Sequence, residues 1–309
     1  MARGGRPLIS FRYHLVTIVA VFLALALGVL AGTTVIKQTL VEQLRNNNRR
    51  VGEQNADLRG QLGDFRGFVG ASRDWLVNGA LDGQRVVLVT YDPPDQDALG
   101  QTRDALVTAG AEIVTLTMTS KVDSAGAGDQ LADILAVDPS TPHDILVSDA
   151  AVALANRLAH GVAPGTAGSV PDLLEEMVKA GFIRASDTSD LASVGGAGQL
   201  KVVVGGGQAQ PAVPIDTFVL DLVRQMSDAG AIVAAGESED ADGEVHPFVP
   251  LLRKDGSIST DHLMTVDDVD QDVGGIALVL GLSRMLEGGS GGNYGTDRGA
   301  QLLPQPLVG

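Results

Sequence analysis

The hydrophobic pattern of the chain changes period twice. From Leu15 to Ile36 runs LVTIVAVFLALALGVLAGTTVI, 22 residues without a charged side chain. As a helix rising about 1.5 Å per residue it spans roughly 33 Å, enough for the hydrocarbon core of a bilayer. A buried helix of this length in a soluble protein would show a polar face, and this one shows none. The pattern predicts a transmembrane helix over 15–36, preceded by a cytoplasmic tail over 1–14. A cleaved signal peptide competes with this reading, since Val29-Leu30-Ala31 is an acceptable cleavage context. Its apolar region, however, is usually only about 7–15 residues.

Beyond Ile36 the period becomes that of a heptad. Val41, Asn48, Asn55, Leu62, Val69 and Leu76 fall at a positions, and Lys37, Leu44, Val51, Leu58, Phe65 and Ser72 at d positions. Eight of these twelve are apolar. Asn48 and Asn55 at consecutive a positions cost stability but pair with their mates in a parallel dimer, fixing register. A coiled-coil homodimer over 37–76 is therefore expected. The alternative is one amphipathic helix packed on its own domain. Gly52, Gly60, Gly63, Gly67 and Gly70 favour that alternative, because each glycine weakens a helix by about 1 kcal/mol.

Inside the apolar run, Ala20, Ala24, Gly28 and Gly32 recur at every fourth position, a stripe that lets two helix backbones approach closely. Carried back by heptads, the coil seam passes through Thr34 and Leu27, about 200° round the helix from Gly32. Either the helix breaks near Gly32-Thr33-Thr34, or the stripe serves a different transmembrane helix, a second membrane protein. An incidental abundance of small residues is the plain reading.

From about Arg85 the pattern alternates between short apolar runs and helical periods. Strands are expected at Arg85–Thr90, Glu112–Thr117, Asp144–Val147, Lys201–Val204 and Ile232–Ala235. Helices are expected at Asp95–Ala109, Asp129–Val137, Ala150–Ala159, Pro171–Ala180, Ile215–Ala229 and Gly274–Leu286. This alternation implies an α/β domain with a mostly parallel sheet over 77–287. The Gly/Pro-rich stretch 288–309 reads as a loose tail.

Charge sharpens the division. Residues 1–36 carry a net +3, residues 37–76 a net +2, and the remainder −21. The total of −16, with aromatics at 4%, argues against nucleic-acid binding, which needs a basic face or stacking platforms. The chain has no cysteine, which excludes disulfides, thiolate metal sites and cysteine nucleophiles. The positive-inside count is nearly balanced, because Lys37, Arg45, Arg49 and Arg50 oppose Arg3, Arg6 and Arg12. The N-terminal flank has no acid, which favours an extracytoplasmic body.

Candidate chemistry is sparse. Gly205-Gly206-Gly207 follows a strand, where phosphates sit in doubly wound folds, but Pro211 and Pro214 intervene before the helix and no phosphate-loop spacing is present. The acidic run Glu237–Glu244 reads as a solvated loop without calcium-loop spacing. Asp267, Asp268, Asp270 and Asp272 suit the positive N-terminus of the last helix. His262 and Met264 form the one close His–Met pair, a conceivable soft-metal site. No catalytic signature occurs, so no enzyme, catalytic residue or bound cofactor is expected. At the other end, Phe11, Arg12 and His14 flank the membrane. There they anchor at headgroups or are read by a cytoplasmic partner.

The opening Ile9-Ser10-Phe11-Arg12-Tyr13-His14, the block Thr265-Val266-Asp267-Asp268-Val269-Asp270, the run Gly275–Leu280 and the turn Gly292-Asn293-Tyr294-Gly295 together resemble the actinobacterial MctB-like family. That family is named for the mycobacterial copper-transport protein B. The resemblance covers nearly the whole chain. It implies copper homeostasis or efflux across the cell envelope, with copper as a transported ion and an outer-envelope location. It also implies an alternative role in cell separation, as a SteB-like scaffold working with a cytoplasmic SteA-like partner. The residues themselves offer no pore, since a single helix lined by Val, Leu and Ala leaves no water path.

Overall fold

The computed structural model describes residues 11–162, 171–206, 211–238, 248–255, 259–297 and 299–305, without the side chains of 33–42. It divides into two compact units, 1–65 and 66–309.

Helix α1 (Phe11–Val77) runs for 67 residues without interruption. Its stretch Phe11–Gly32 is long and apolar enough to cross a membrane, with a mean hydropathy of 2.7 and no part of it buried. This stretch overlaps the apolar run expected from Leu15 onward. The helix also does not break at Gly32-Thr33-Thr34, so that explanation of the two misaligned stripes is removed. Further along, Leu44, Val51, Leu58, Leu62 and Phe65 are about half exposed.

The second unit begins with the last turns of α1 and continues as an α/β body. Its strands are β1 (Arg85–Tyr91), β2 (Glu112–Met118), β3 (Ile183–Ala185), β4 (Leu200–Gly205), β5 (Val233–Glu237), β6 (Leu263–Val266) and β7 (Asn293–Tyr294). They form one sheet in the order β3-β2-β1-β4-β5-β6-β7. Every neighbouring pair is parallel except β2–β3. The helices are α2 (Gln96–Thr108), α3 (Gly128–Leu135), α4 (His143–His160), α5 (Leu173–Lys179), α6 (Leu220–Asp228), α7 (Val249–Lys254) and α8 (Asp272–Leu286).

Strand residues alternate between two hydrophobic layers. Val87, Val89 and Val203 face α3, α4, α5 and α6 through Leu131, Leu154, Met177 and Val223. Val86, Leu88, Val202 and Val204 face α2 and α8 through Leu106, Ile276 and Leu282. A sheet buried on both sides is written as continuous apolar runs, and β4, β5 and β6 are buried throughout. Val77 and the partly buried Val69 of α1 join the second layer. Arg73 fixes this end of α1 through Asp272 at 2.8 Å and Gln101 at 3.4 Å. A Cβ on Gly70 would stand 2.8 Å from the Asp272 carboxylate, so this glycine permits the close approach.

Three expectations are corrected. Asp144–Val147 is not a strand but the first turns of α4. Pro142 sits at its N-cap with Asp144 in the first turn, and Leu146, Val147, Ala150, Leu154 and Leu158 are buried at helical spacing. Four apolar residues in a row do not distinguish a strand from a buried helix turn. The stretch 288–309 is not a loose tail throughout, because β7 adds an edge strand to the sheet and Tyr294 is buried. Finally, β3, β6, β7 and α7 were not anticipated. Three are strands of two to four residues, and α7 has six residues with proline in its first turn.

One buried ion pair closes the far side of the body. Arg157 donates to Asp172 at 2.5 and 3.0 Å, and to the carbonyls of Val194 and Leu191 at 2.6 and 3.2 Å. Removing one member of such a pair strands the other charge and two carbonyls. Arg157→Ala is expected to cost about 3–5 kcal/mol in urea unfolding. Arg157→Met with Asp172→Leu should recover much of that loss.

Candidate functional site

In a parallel sheet the carboxyl ends of the strands lie on one rim, and ligands bind where the strand order reverses. Here the reversal lies between β1 and β4. The loops there line a cavity of about 580 Å³, bounded by Asp92, Pro93, Pro94, Ser120, Asp123, Pro211 and Ala212. Asp92 is held by Arg184 through two bonds of 2.7 and 2.5 Å, and its carbonyl accepts from the Ala212 N–H at 2.7 Å.

The glycines after β4 do not form an open phosphate cradle. A Cβ on Gly205 would collide with the Tyr91 ring, and the Gly206 N–H donates to the Tyr91 hydroxyl at 3.3 Å. Gly206 has φ +91°, a conformation glycine adopts without strain. The backbone donor that would face a phosphate is thus taken by the protein's own phenol. Burial pushes the Tyr91 hydroxyl well above the ordinary phenol range. Gly207 lies outside the described residues.

The next two strand ends carry three acids. Glu237, at the end of β5, is 6% exposed, and its carboxylate accepts the N–H groups of Phe248 and Val249 at 3.2 and 3.0 Å. Burial raises its pKa to about 7. The expected solvated acidic loop is therefore corrected at its first residue; residues 239–247 lie outside the described set. Asp267 and Asp268, at the end of β6, are buried rather than capping α8. Asp267 pairs with Arg253 at 2.7 Å and accepts the Thr296 N–H at 2.5 Å. Asp268 accepts from the Thr296 hydroxyl and from its N–H at 3.1 Å, and burial raises its pKa to about 6. Arg253 also bonds the Thr265 hydroxyl and the Tyr294 carbonyl at 2.9 and 2.8 Å. The N-cap of α8 is Gln271, with no side-chain cap bond. These carboxylates pin β7 and the turn after it to β6. The local signal was the pair Asp267-Asp268 directly after an apolar run, which marks a strand end.

Elsewhere, Lys201 is wholly buried, and its ammonium donates to the Gly196 and Gln199 carbonyls at 2.5 and 2.7 Å. Burial lowers its pKa to about 8. Its position in an otherwise apolar strand gave no warning of that role.

The structure does not gather the residues singled out from the sequence into one site. Met264 is fully buried in β6, and a Cβ on Gly281 of α8 would meet its methyl group, while His262 is exposed just before the strand. Ala20, Ala24, Gly28 and Gly32 lie exposed on α1, with open space around both glycines. Asn48 and Asn55 are exposed further along it, and Phe11, Arg12 and His14 are exposed at its start. Among the described residues no group of three or more His, Cys, Asp or Glu is placed to hold a metal ion.

A family model described as copper transport outer membrane protein, MctB, matches residues 8–304. The chain belongs to the MctB family. The matching span runs from the start of the apolar helix to the segment after β7. Two relatives named copper transporter MctB illustrate the family's range. The protein of Mycobacterium tuberculosis (strain H37Rv) is 28% identical over 96% of this chain and 99% of its own. That of Mycobacterium leprae (strain TN) is 26% identical over 97% of this chain and 100% of its own. The matches thus cover both chains nearly end to end, and membership supports association with a membrane.

Two consequences of the rim are measurable. Glu237 and Asp268 have folded pKa values above their unfolded ones, so the stability they contribute is present at low pH and lost as pH rises. The windows run from about 4.5 to 7 for Glu237 and from about 3.8 to 6 for Asp268. Glu237→Gln and Asp268→Asn should each flatten the fall in melting temperature across its window. Met264→Ala should cost about 2–5 kcal/mol by leaving a cavity beneath α8. His262→Ala should leave unfolding unchanged.

Proposed function

We propose that the chain is a single-pass membrane protein of copper homeostasis, with its α/β body on the extracytoplasmic side. The observation that carries this reading is the family match over residues 8–304, which joins the membrane helix and the whole body to relatives named as copper transporters. Copper is the cargo in this reading. The chain serves as an anchored subunit beside the copper-carrying path and does not perform enzymatic chemistry. Two features support that division of labour. The chain has no thiolate, and its one candidate soft donor next to a histidine, Met264, is committed to the core. His262 is the member of that pair within reach of solvent.

The exposed heptad positions of α1 favour a second reading, compatible with the first. Leu44, Val51, Leu58, Leu62 and Phe65 are 48–61% exposed in the single chain. Their exposure at heptad spacing supports a parallel coiled-coil homodimer over 37–76, with Asn48 and Asn55 setting the register. A paired stalk would also suit a scaffold that links the body to a cytoplasmic partner reading Phe11, Arg12 and His14. The stripe Ala20, Ala24, Gly28 and Gly32 remains available to a second membrane protein.

Deleting the gene is expected to raise cell-associated copper and to slow growth on copper salts, with rescue by the full chain. Unchanged copper content and tolerance would reject the copper reading. A reporter fused after Gly309 should be active only in its extracytoplasmic form. Leu58→Lys with Leu62→Lys should convert the nanodisc-reconstituted protein from dimer to monomer by light scattering.

A further inference from the structure

The end of α1 that enters the body carries two large aromatics with no cover. Phe68 is 70% exposed and Trp75 is 82% exposed. They stand at consecutive g positions of the heptad, one seven-residue period apart. The opposite flank of the same turns is occupied. Gly70 and Val77 at b, Arg73 at e and, in part, Val69 at a face the body.

Charge along the two flanks is uneven. The e positions Arg45, Arg59, Arg66 and Arg73 form a basic row, interrupted only by Gly52. The g positions Asn47, Gln54, Gln61, Phe68 and Trp75 are neutral throughout. In a parallel pair of helices each g side chain faces the e position of the following heptad on the partner, and these flanking pairs decide orientation. That rule sets Gln54 against Arg59, Gln61 against Arg66, and Phe68 against Arg73. In an antiparallel pair the e rows would meet, placing arginine against arginine. The parallel arrangement instead gives each of these three arginines a neutral acceptor or an aromatic face.

We infer that, in the homodimer proposed above, Phe68 of each copy stacks on Arg73 of the other, and Trp75 covers the turn after α1 in the other body. The clasp formed by Arg73, Asp272 and Gln101 is thereby completed by the second chain. An arginine held by a carboxylate presents its flat face for such stacking. Arg73 keeps 22% of its side chain exposed for this contact. The paired helices and the two bodies then form one interlocked unit. The inference rests on the homodimer reading, and its test separates the two.

Trp75 is the chain's single tryptophan, and the chain has no cysteine, so fluorescence reports from Trp75 alone and engineered thiols only from where they are placed. The full chain is placed in nanodiscs beside the Leu58→Lys, Leu62→Lys variant. Light scattering gives the oligomeric state, and iodide quenching gives the exposure of Trp75. A dimer in which quenching falls several-fold relative to the monomeric variant is expected. Mixed Phe68→Cys and Arg73→Cys chains should also form disulfide-linked heterodimers far faster than either variant alone. A monomeric full chain would overturn both the homodimer reading and this inference. A dimer with fully quenchable Trp75 and no preference for the mixed cross-link would overturn the inference while leaving the coiled coil standing.

Discussion

Everything in the body follows from a sheet that must be kept dry on both faces. Parallel strands reach their neighbours through helical crossovers, and those crossovers have to cover the sheet they cross. Here α4 and α6 cover one face, and α2 and α8 cover the other. The second cover is completed by the last turns of α1, through Val69 and Val77. The same helix that carries a stretch suited to lipid therefore also supplies part of the body's core. Removing those turns would open the apolar layer beneath α2 and α8 to water.

The rim shows how a familiar architecture can be put to another use. The order β3-β2-β1-β4-β5-β6 is that of a dinucleotide fold, except that β3 runs against β2. Where such folds leave room for a pyrophosphate, Tyr91 lies over Gly205 and takes the N–H of Gly206. The neighbouring acids Glu237, Asp267 and Asp268 are consumed in holding α7, Arg253 and the segment after β7. These polar groups are spent on closure of the fold itself.

The sequence announced the larger features because they depend on repeated local chemistry. The uncharged run in α1, the strands β1, β2, β4 and β5, and the helices α2 and α8 were legible from period and punctuation. The elements that escaped are those whose stability comes from distant partners. β3 and β7 have only three and two residues and exist because β2 and β6 offer free edges. Asp144–Val147 was misread because local apolarity says nothing about which layer a segment joins. The buried roles of Glu237, Asp267 and Lys201 were illegible for a related reason. An acidic or basic residue looks solvated until the fold supplies donors or carbonyls around it.

The bond between Arg73 and Asp272 joins positions 199 residues apart in the chain. A contact of that span cannot form until nearly the whole polypeptide has been synthesised, and structures rich in such contacts assemble slowly. The apolar start of α1 emerges long before α8 does. The body therefore closes over the end of α1 only once α8 has been made. Assembly of the body is in that sense ordered by its own connectivity: the first segment of its core waits for one of the last.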